Sequence, residues 1–468
     1  YTRSLNTGNS NDQNHSANLN YELKLDNEGS KISANAAMLK FRKNQDNLSL
    51  TQASDVQRSV LGTLSQFRQV APQDIDNFSG LLDIVKKFKH FTLAAGGNIN
   101  KTETDNDTYF ERWSPATGLF SKDENQSNHF VYNETISGVY ANIEKSFSEK
   151  FSAKIGARME FSNSNGEILG KNIDVKRNYH NLLPTVNLNY NMNEKNSFSY
   201  AFTSRVRRPS FWEINPVRIY LTEVNYVQNN PFMQPASIYN QEFMYMYKNA
   251  YFLQVTNSYI KNSITQVPLQ KTINGVQTLR YIRTNFGTEN EFAANIGMNK
   301  SFFKQIWIAN YLVGLQVNSF TGQVDTDPIT NEKFDPFVFN KKMATPFIQA
   351  NNTIRLSAKK DWFLGVNYFY LGKSRNDIGE LAAIQSLNLD IKKLLNNWTF
   401  AFNFDDAFGL FKIKISDVQA NGNFNYIDNN VYRRRGTLSI TYNFGNQKVL
   451  KVRRVEGAAE DIRSRTGN

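Results

Sequence analysis

The residues best equipped for chemistry fall in one short stretch: Arg205, Arg207, Arg208, Trp212 and Glu213. A guanidinium is planar and permanently charged, and it grips a carboxylate or phosphate through two parallel hydrogen bonds. Arg205 and Arg207 share parity with Ser197, Ser199 and Thr203, opposite Phe198, Tyr200 and Phe202. A regular strand therefore puts both arginines on its polar side. They can hold an anionic group, or they can anchor the Pro-containing stretch 207–237 that follows. Trp212, Tyr220, Tyr226 and Phe232 in that stretch can stack on a ligand or fold the stretch upon itself.

Other chemistry is thinly represented. His15, His90, His129 and His180 are scattered without the spacing of a metal site. His180 near Asp174 is a weak match to a hydrolase constellation. Asp325-Thr326-Asp327 lacks the glycine and terminal glutamate of an EF-hand and reads as an acidic loop. No phosphate-binding glycine loop stands in a strand-to-helix context. The expectation is a non-enzyme with no cofactor.

The elements that must carry these residues are strands. Phe151, Ala153, Ile155, Ala157, Met159 and Phe161 alternate with Ser152, Lys154, Gly156, Arg158, Glu160 and Ser162. A period of two sends one set to each side of a strand. One side is wholly apolar and the other carries Lys154, Arg158 and Glu160, with Arg158 and Glu160 placed to form an ion pair. The same alternation recurs nearly to Phe444. That pattern suits a wall with lipid on one side and water on the other.

Composition agrees with such a wall. Hydrophobic residues are 40% of the 468, with 35 Phe and 22 Tyr, and mean hydropathy is −0.53. No apolar run is long enough for a transmembrane helix. A β-barrel passes that test because only alternate residues meet lipid. With no cysteine, disulfides and thiolate metal sites are excluded. The net charge of +12 is spread along the chain, without the basic stripe expected of a nucleic-acid binder. Residues 1–20 carry no signal-peptide pattern.

A first strand is read over Ala17, Leu19, Tyr21, Leu23 and Leu25, and a bulge near Ala36-Ala37 in the poorly alternating return. Residues 42–74, 101–129, 163–181 and 207–237 read as long polar connections between strands. Short turns alternate with them. In bacterial barrels short turns are periplasmic and long loops extracellular. Trp307, Trp362 and Trp398, each just after a short turn, fit an interfacial aromatic belt. The count is about 17 strands, whereas single-chain bacterial barrels are even-stranded. Unpaired edges in lipid cost several kcal/mol per group, so residues 1–445 are expected to be an incomplete all-β, antiparallel outer-membrane β-barrel. Residues 446–468, with Lys448, Lys451, Arg453, Arg454, Arg463 and Arg465, read as a basic periplasmic C-terminal tail, disordered by default.

Several segments resemble the TonB-dependent receptor family in its Bacteroidetes-type outer-membrane branch. They are Phe130-Val131-Tyr132-Asn133-Glu134 leading to Tyr140-Ala141, Gly156-Ala157-Arg158-Met159-Glu160, Arg207-Arg208-Pro209-Ser210-Phe211-Trp212-Glu213-Ile214-Asn215-Pro216, Asn230-Pro231-Phe232-Met233-Gln234-Pro235, and the terminal Leu438-Ser439-Ile440-Thr441-Tyr442-Asn443-Phe444-Gly445. The resemblance implies a barrel of about 22 strands, an N-terminal plug and a segment that recruits the TonB system. Neither plug nor recruiting segment is present in these residues. The implied role is uptake of an unidentified extracellular ligand across the bacterial outer membrane, with outer-membrane lipid and lipopolysaccharide as surroundings. Arg205, Arg207, Arg208, Trp212 and Glu213 then become candidates for contact with ligand or plug. The rival reading is a receptor-like barrel without TonB coupling, acting as a scaffold or accessory subunit of an outer-membrane complex. A hydrolase and a soluble β-sandwich are weaker rivals, the latter because outward rows of Phe and Trp do not suit water.

Overall fold

The computed structural model describes residues 2–57, 59–171, 173–222, 225–273, 276–376, 379–418, 424–429, 433–445 and 460–466. In chain order the elements begin with β1 (Thr2–Lys24), β2 (Lys31–Ser54), β3 (Val60–Lys87), β4 (Thr92–Ser114), β5 (Leu119–Lys122), β6 (Asn128–Ser146), β7 (Phe151–Ile168), β8 (Ile173–Asn193) and β9 (Asn196–Arg207). Then come α1 (Phe211–Ile214), β10 (Arg218–Thr222), β11 (Asn225–Gln228), β12 (Ala236–Tyr247), β13 (Tyr251–Lys261), β14 (Ile264–Ile273), β15 (Val276–Asn285), β16 (Thr288–Phe302), β17 (Trp307–Thr326) and β18 (Lys333–Arg355). The last are β19 (Trp362–Leu371), β20 (Ser374–Asn376), β21 (Gly379–Leu381), β22 (Ile384–Leu395), β23 (Trp398–Asp405), β24 (Ile413–Val418), β25 (Phe424–Asn429), β26 (Arg435–Tyr442) and α2 (Glu460–Arg465).

The wall is an antiparallel meander. Each strand pairs with the next in the order β1-β2-β3-β4-β6-β7-β8-β9-β12-β13-β16-β17-β18-β19-β22-β23-β26. Hairpins of the long loops extend the same network to a 22-stranded sheet, and β20, β21, β24 and β25 form a separate four-stranded sheet. At one end of the wall the connections are short, as at 25–30, 88–91, 147–150, 194–195 and 396–397. The long, structured connections stand at the other end.

The two faces separate as the period of two requires. On β7, Ile155 is 59% and Phe161 50% exposed, whereas Glu160 between them is 7% exposed. Leu19, Met38, Phe78, Val139, Leu182, Ile296 and Leu438 are likewise apolar and more than half or about half exposed. In water such a surface would aggregate. In lipid it is the buried surface, and the hydrogen-bonded ladder satisfies the backbone where water cannot.

Three expectations are corrected. The stretches 42–74, 101–129 and 163–181 are mostly strand, with β2–β3, β4–β6 and β7–β8 pairing on well past the apolar band. Beyond the band the outward face is polar, as Asn133, Thr135 and Asn163 illustrate, while the inward face holds buried apolar residues such as Phe110, Phe130 and Ile168, so the apolar-outside, polar-inside alternation disappears although the ladder continues. No bulge interrupts β2 at Ala36-Ala37, because Ala36 pairs with Leu19 and Gly80 in regular register. The alternation fades there because the inward row Ala37, Leu39, Phe41 is itself apolar and buried. Thirdly, residues 460–466 are not disordered. Helix α2 packs inside the wall at the loop end, with Ile462 fully buried. Residues 446–459 lie outside the described residues.

The outward row makes a depth-dependent prediction. Ile155→Arg, in the middle of the apolar band, should destabilise the protein in bilayers by ~2–4 kcal/mol, whereas Asn163→Arg, beyond the band, should stay within ~1 kcal/mol. Denaturant titration in lipid vesicles measures both.

Candidate functional site

A cluster of buried charges lies inside the loop end of the wall. On β6 the inward row is Phe130, Tyr132, Glu134 and Ile136, all buried. The facing row of β7 supplies Arg158, Glu160, Ser162 and Ser164, since Ser164 is paired with Glu134 and Glu160 with Gly138. Glu160 accepts from Arg158 Nε at 2.6 Å and from Arg208 Nη2 at 2.7 Å. Arg208 also donates to Ser162 Oγ at 3.0 Å. Arg158 Nη2 reaches Asn98 Oδ1 at 2.7 Å across the sheet. It passes over Gly138, where a Cβ would come within 3.0 Å of the guanidinium. Glu134 accepts from Tyr132 Oη at 2.9 Å and is bridged by Arg465 of α2.

The loop between β9 and β12 roofs this cluster. Ser210 caps α1: its Oγ accepts from Glu213 N at 3.2 Å while Glu213 Oε2 accepts from Ser210 N at 2.8 Å. This reciprocal capping box fixes where the chain turns after Pro209. Phe211, Ile214 and Met233 then sink into one apolar cluster with Phe41, Ile75, Phe130 and Ile462. The Asn-Pro segment is tied down as well. Asn230 Oδ1 accepts from Phe232 N at 2.8 Å, and Asn229 Nδ2 donates to Trp212 O at 2.8 Å.

A second polar cavity of about 420 Å³ opens beside the roof, lined by Arg207, Ser263, Thr265, Glu289, Glu291, Asn318 and Arg375. Glu289 meets Arg375 Nη1 at 2.7 Å and Asn318 Nδ2 at 3.0 Å. Arg375 stacks 3.9 Å above the Phe320 ring. Gly287 brings the β14–β15 hairpin back to the wall at φ +68°, where a Cβ would strike Thr321 O. In the outer loops, Glu332 bridges Lys271 and Arg280, and Asp327 is paired with Arg280. The Lys271 ammonium, then the Arg280 guanidinium, hold the Glu332 carboxyl below the usual carboxylate range.

The structure distributes the sequence candidates unevenly. Arg205 and Arg207 are exposed on the lumen side of β9, and Arg207 lines the second cavity. Among the described residues neither makes an ion pair. Arg208 is in the buried pair with Glu160, with only 6% of its side chain exposed. Trp212 borders a 240 Å³ cavity with Gln73, Asn215 and Thr466. The Glu213 carboxylate is engaged by Ser210 and by Arg283 at 3.4 Å. Glu134, Arg375 and Arg465 were not among the candidates. The signal for Glu134 was present, a lone charge in the row Phe130, Tyr132, Ile136. His180 and Asp174 are not joined, because Asp174 pairs with Lys176 at 2.7 Å, and Asp325 and Asp327 answer Lys333 and Arg280.

An antiparallel wall, greasy outside, with charge and loop packed within its mouth, defines a transmembrane β-barrel of the outer membrane. Residues 23–442 match the outer membrane protein beta-barrel family, and the chain belongs to that family. A comparison with curated proteins finds no match. Among solved structures, the chain is similar to BauA, the ferric preacinetobactin receptor from Acinetobacter baumannii, with TM-score 0.56 and 13% identity over 93% of this chain and 64% of that one. It is also similar to the copper transporter OprC, with TM-score 0.54 and 12% identity over 86% and 69%. A third is the siderophore receptor PiuA from Acinetobacter baumannii, with TM-score 0.54 and 11% identity over 88% and 64%. At these identities the likeness is one of fold. The chain spans about two thirds of the length of these structures.

Two predictions follow from the charges. Arg208→Ala leaves Glu160 buried with half its partners and should destabilise the loop roof by ~3–5 kcal/mol, read as faster amide exchange in 208–235. The outer hairpin should loosen in acid. The depressed Glu332 carboxyl contributes stability fully above its unfolded value of 4.5. That contribution fades as pH falls through the lower folded value. Hydrogen exchange of β14 and β15 should therefore quicken below that range, and Glu332→Gln should abolish the dependence.

Proposed function

We propose that this chain is the barrel portion of a TonB-dependent receptor, of the kind found in Bacteroidetes, that takes up an extracellular ligand. The observation that carries this reading is the exposed pair Arg205 and Arg207 on the lumen side, beside a roofed mouth. Exposed guanidinium groups that make no ion pair among the described residues suit an anionic group arriving from outside. The family's outer-membrane setting and the fold shared with a siderophore receptor and a copper transporter support it. In this reading the wall supplies passage and a rigid frame, and the outer loops set which ligand enters.

The test uses the whole protein in its own cells. A strain lacking it should lose growth when one particular nutrient is limiting. The parent protein should restore growth, but not in a TonB-deficient background, and the Arg205→Ala/Arg207→Ala double variant should restore it by less than about a tenth at low nutrient concentration. Undiminished growth on every limiting nutrient, together with loss of a partner protein from the outer membrane, would favour a scaffold instead.

A further inference from the structure

We propose that the pocket beneath the 208–235 loop is an arginine-binding site whose resident ligand is this chain's own C-terminal segment, presented on α2. The pocket meets each part of one guanidinium. The two carboxylate oxygens of Glu134 accept from Arg465 Nη1 at 2.5 Å and Nη2 at 3.3 Å. The carbonyl of Pro209 accepts from Nε at 3.1 Å. The Phe211 ring lies 4.3 Å from the guanidinium carbon, an arrangement that favours a cation over the ring face. This forked geometry suits arginine and not lysine, whose ammonium is a point charge. Three nitrogens are engaged by wall and roof together, so the ligand joins β6 to the loop.

Burial shows that the site is built. The side chains of Glu134 and Arg465 are 3% and 7% exposed. The neighbouring guanidinium of Arg208 is already committed to Glu160 and Ser162, so Glu134 has no other forked partner among the described residues. One turn earlier on α2, Ile462 is fully buried in the cluster of Leu39, Phe41 and Ile75. Arg463, on the next residue, donates to Ser16 Oγ at 3.1 Å on the lumen side of β1. The segment thus carries one buried charged anchor, Arg465, and one buried apolar anchor, Ile462, and both land on prepared ground. Because Arg465 holds Pro209 and stacks on Phe211, an occupied site keeps the roof down and an empty one frees it. This inference does not depend on transport or on TonB coupling.

The chain has no cysteine, so a single engineered thiol is a clean reporter. In the full chain in vesicles, Ile462→Cys should react with a water-soluble maleimide slowly, and Glu134→Gln or Arg465→Ala in the same background should speed labelling by about tenfold or more. A synthetic peptide of residues 460–466 should bind the Ile462→Asp/Arg465→Ala chain. Adding Glu134→Gln, or replacing the peptide's last arginine by lysine, should weaken that binding by about tenfold. Rapid labelling of Ile462→Cys alone, labelling indifferent to Glu134, or peptide binding equal for arginine and lysine would each overturn the proposal. Should a wall variant fail to fold, shown by loss of heat-modifiable gel mobility, the arginine-to-lysine peptide comparison still decides, since it leaves the wall unchanged.

Discussion

Everything in this molecule follows from having hydrocarbon on one side of a single sheet. Lipid offers no partner to a backbone amide, so each wall strand must be bonded along its length. Regular pairing in turn locks the period of two, and the period puts Ile155, Phe161 and Val139 outward and Glu134, Glu160 and Arg158 inward. A slip of one residue would drive the charged row into lipid. Register is therefore fixed by the same force that holds the protein in the membrane.

Within the mouth, the dominant interactions change from greasy to ionic. Glu134 and Glu160 are buried, and each is answered by arginines that come from elsewhere in the chain: Arg208 from the roofing loop and Arg465 from the C-terminal helix. A buried pair is weak evidence of net stability, but removing one member leaves an uncompensated charge. Such pairs act as registration pins. They accept one docking of loop and helix and penalise others. The apolar cluster around Phe211 and Met233 supplies the burial that makes the docking worthwhile.

The wall was legible in the sequence because lipid and water impose opposite demands on neighbouring residues. The run from Phe151 to Phe161 and the short turn before it could be read directly. Legibility failed where lipid no longer dictated the outward row. Residues 163–168 and 173–181 are polar outside, with only sparse apolar residues such as Ile168 and Val175 buried inside, and looked like loop, yet their backbones pair. The second strand looked irregular because Leu39 and Phe41 face an apolar insert that only the folded loop provides. Of the site, Arg207 and Arg208 stood out as residues able to bind anions. Their different fates, one exposed and one buried on Glu160, depend on where the strand ends. The partnership of Glu134 with Arg465 joins positions 331 residues apart, and no local pattern announces it.

The most direct test of the account is a spin-label scan of single cysteines from Ala153 to Phe161 in the membrane-inserted protein. Accessibility to oxygen, which partitions into lipid, should peak at 153, 155, 157, 159 and 161. Accessibility to a polar nickel chelate should be low at those five positions and higher at 154, 156 and 158. A flat profile, or lipid exposure at Lys154 and Arg158 in place of Ile155 and Met159, would contradict it.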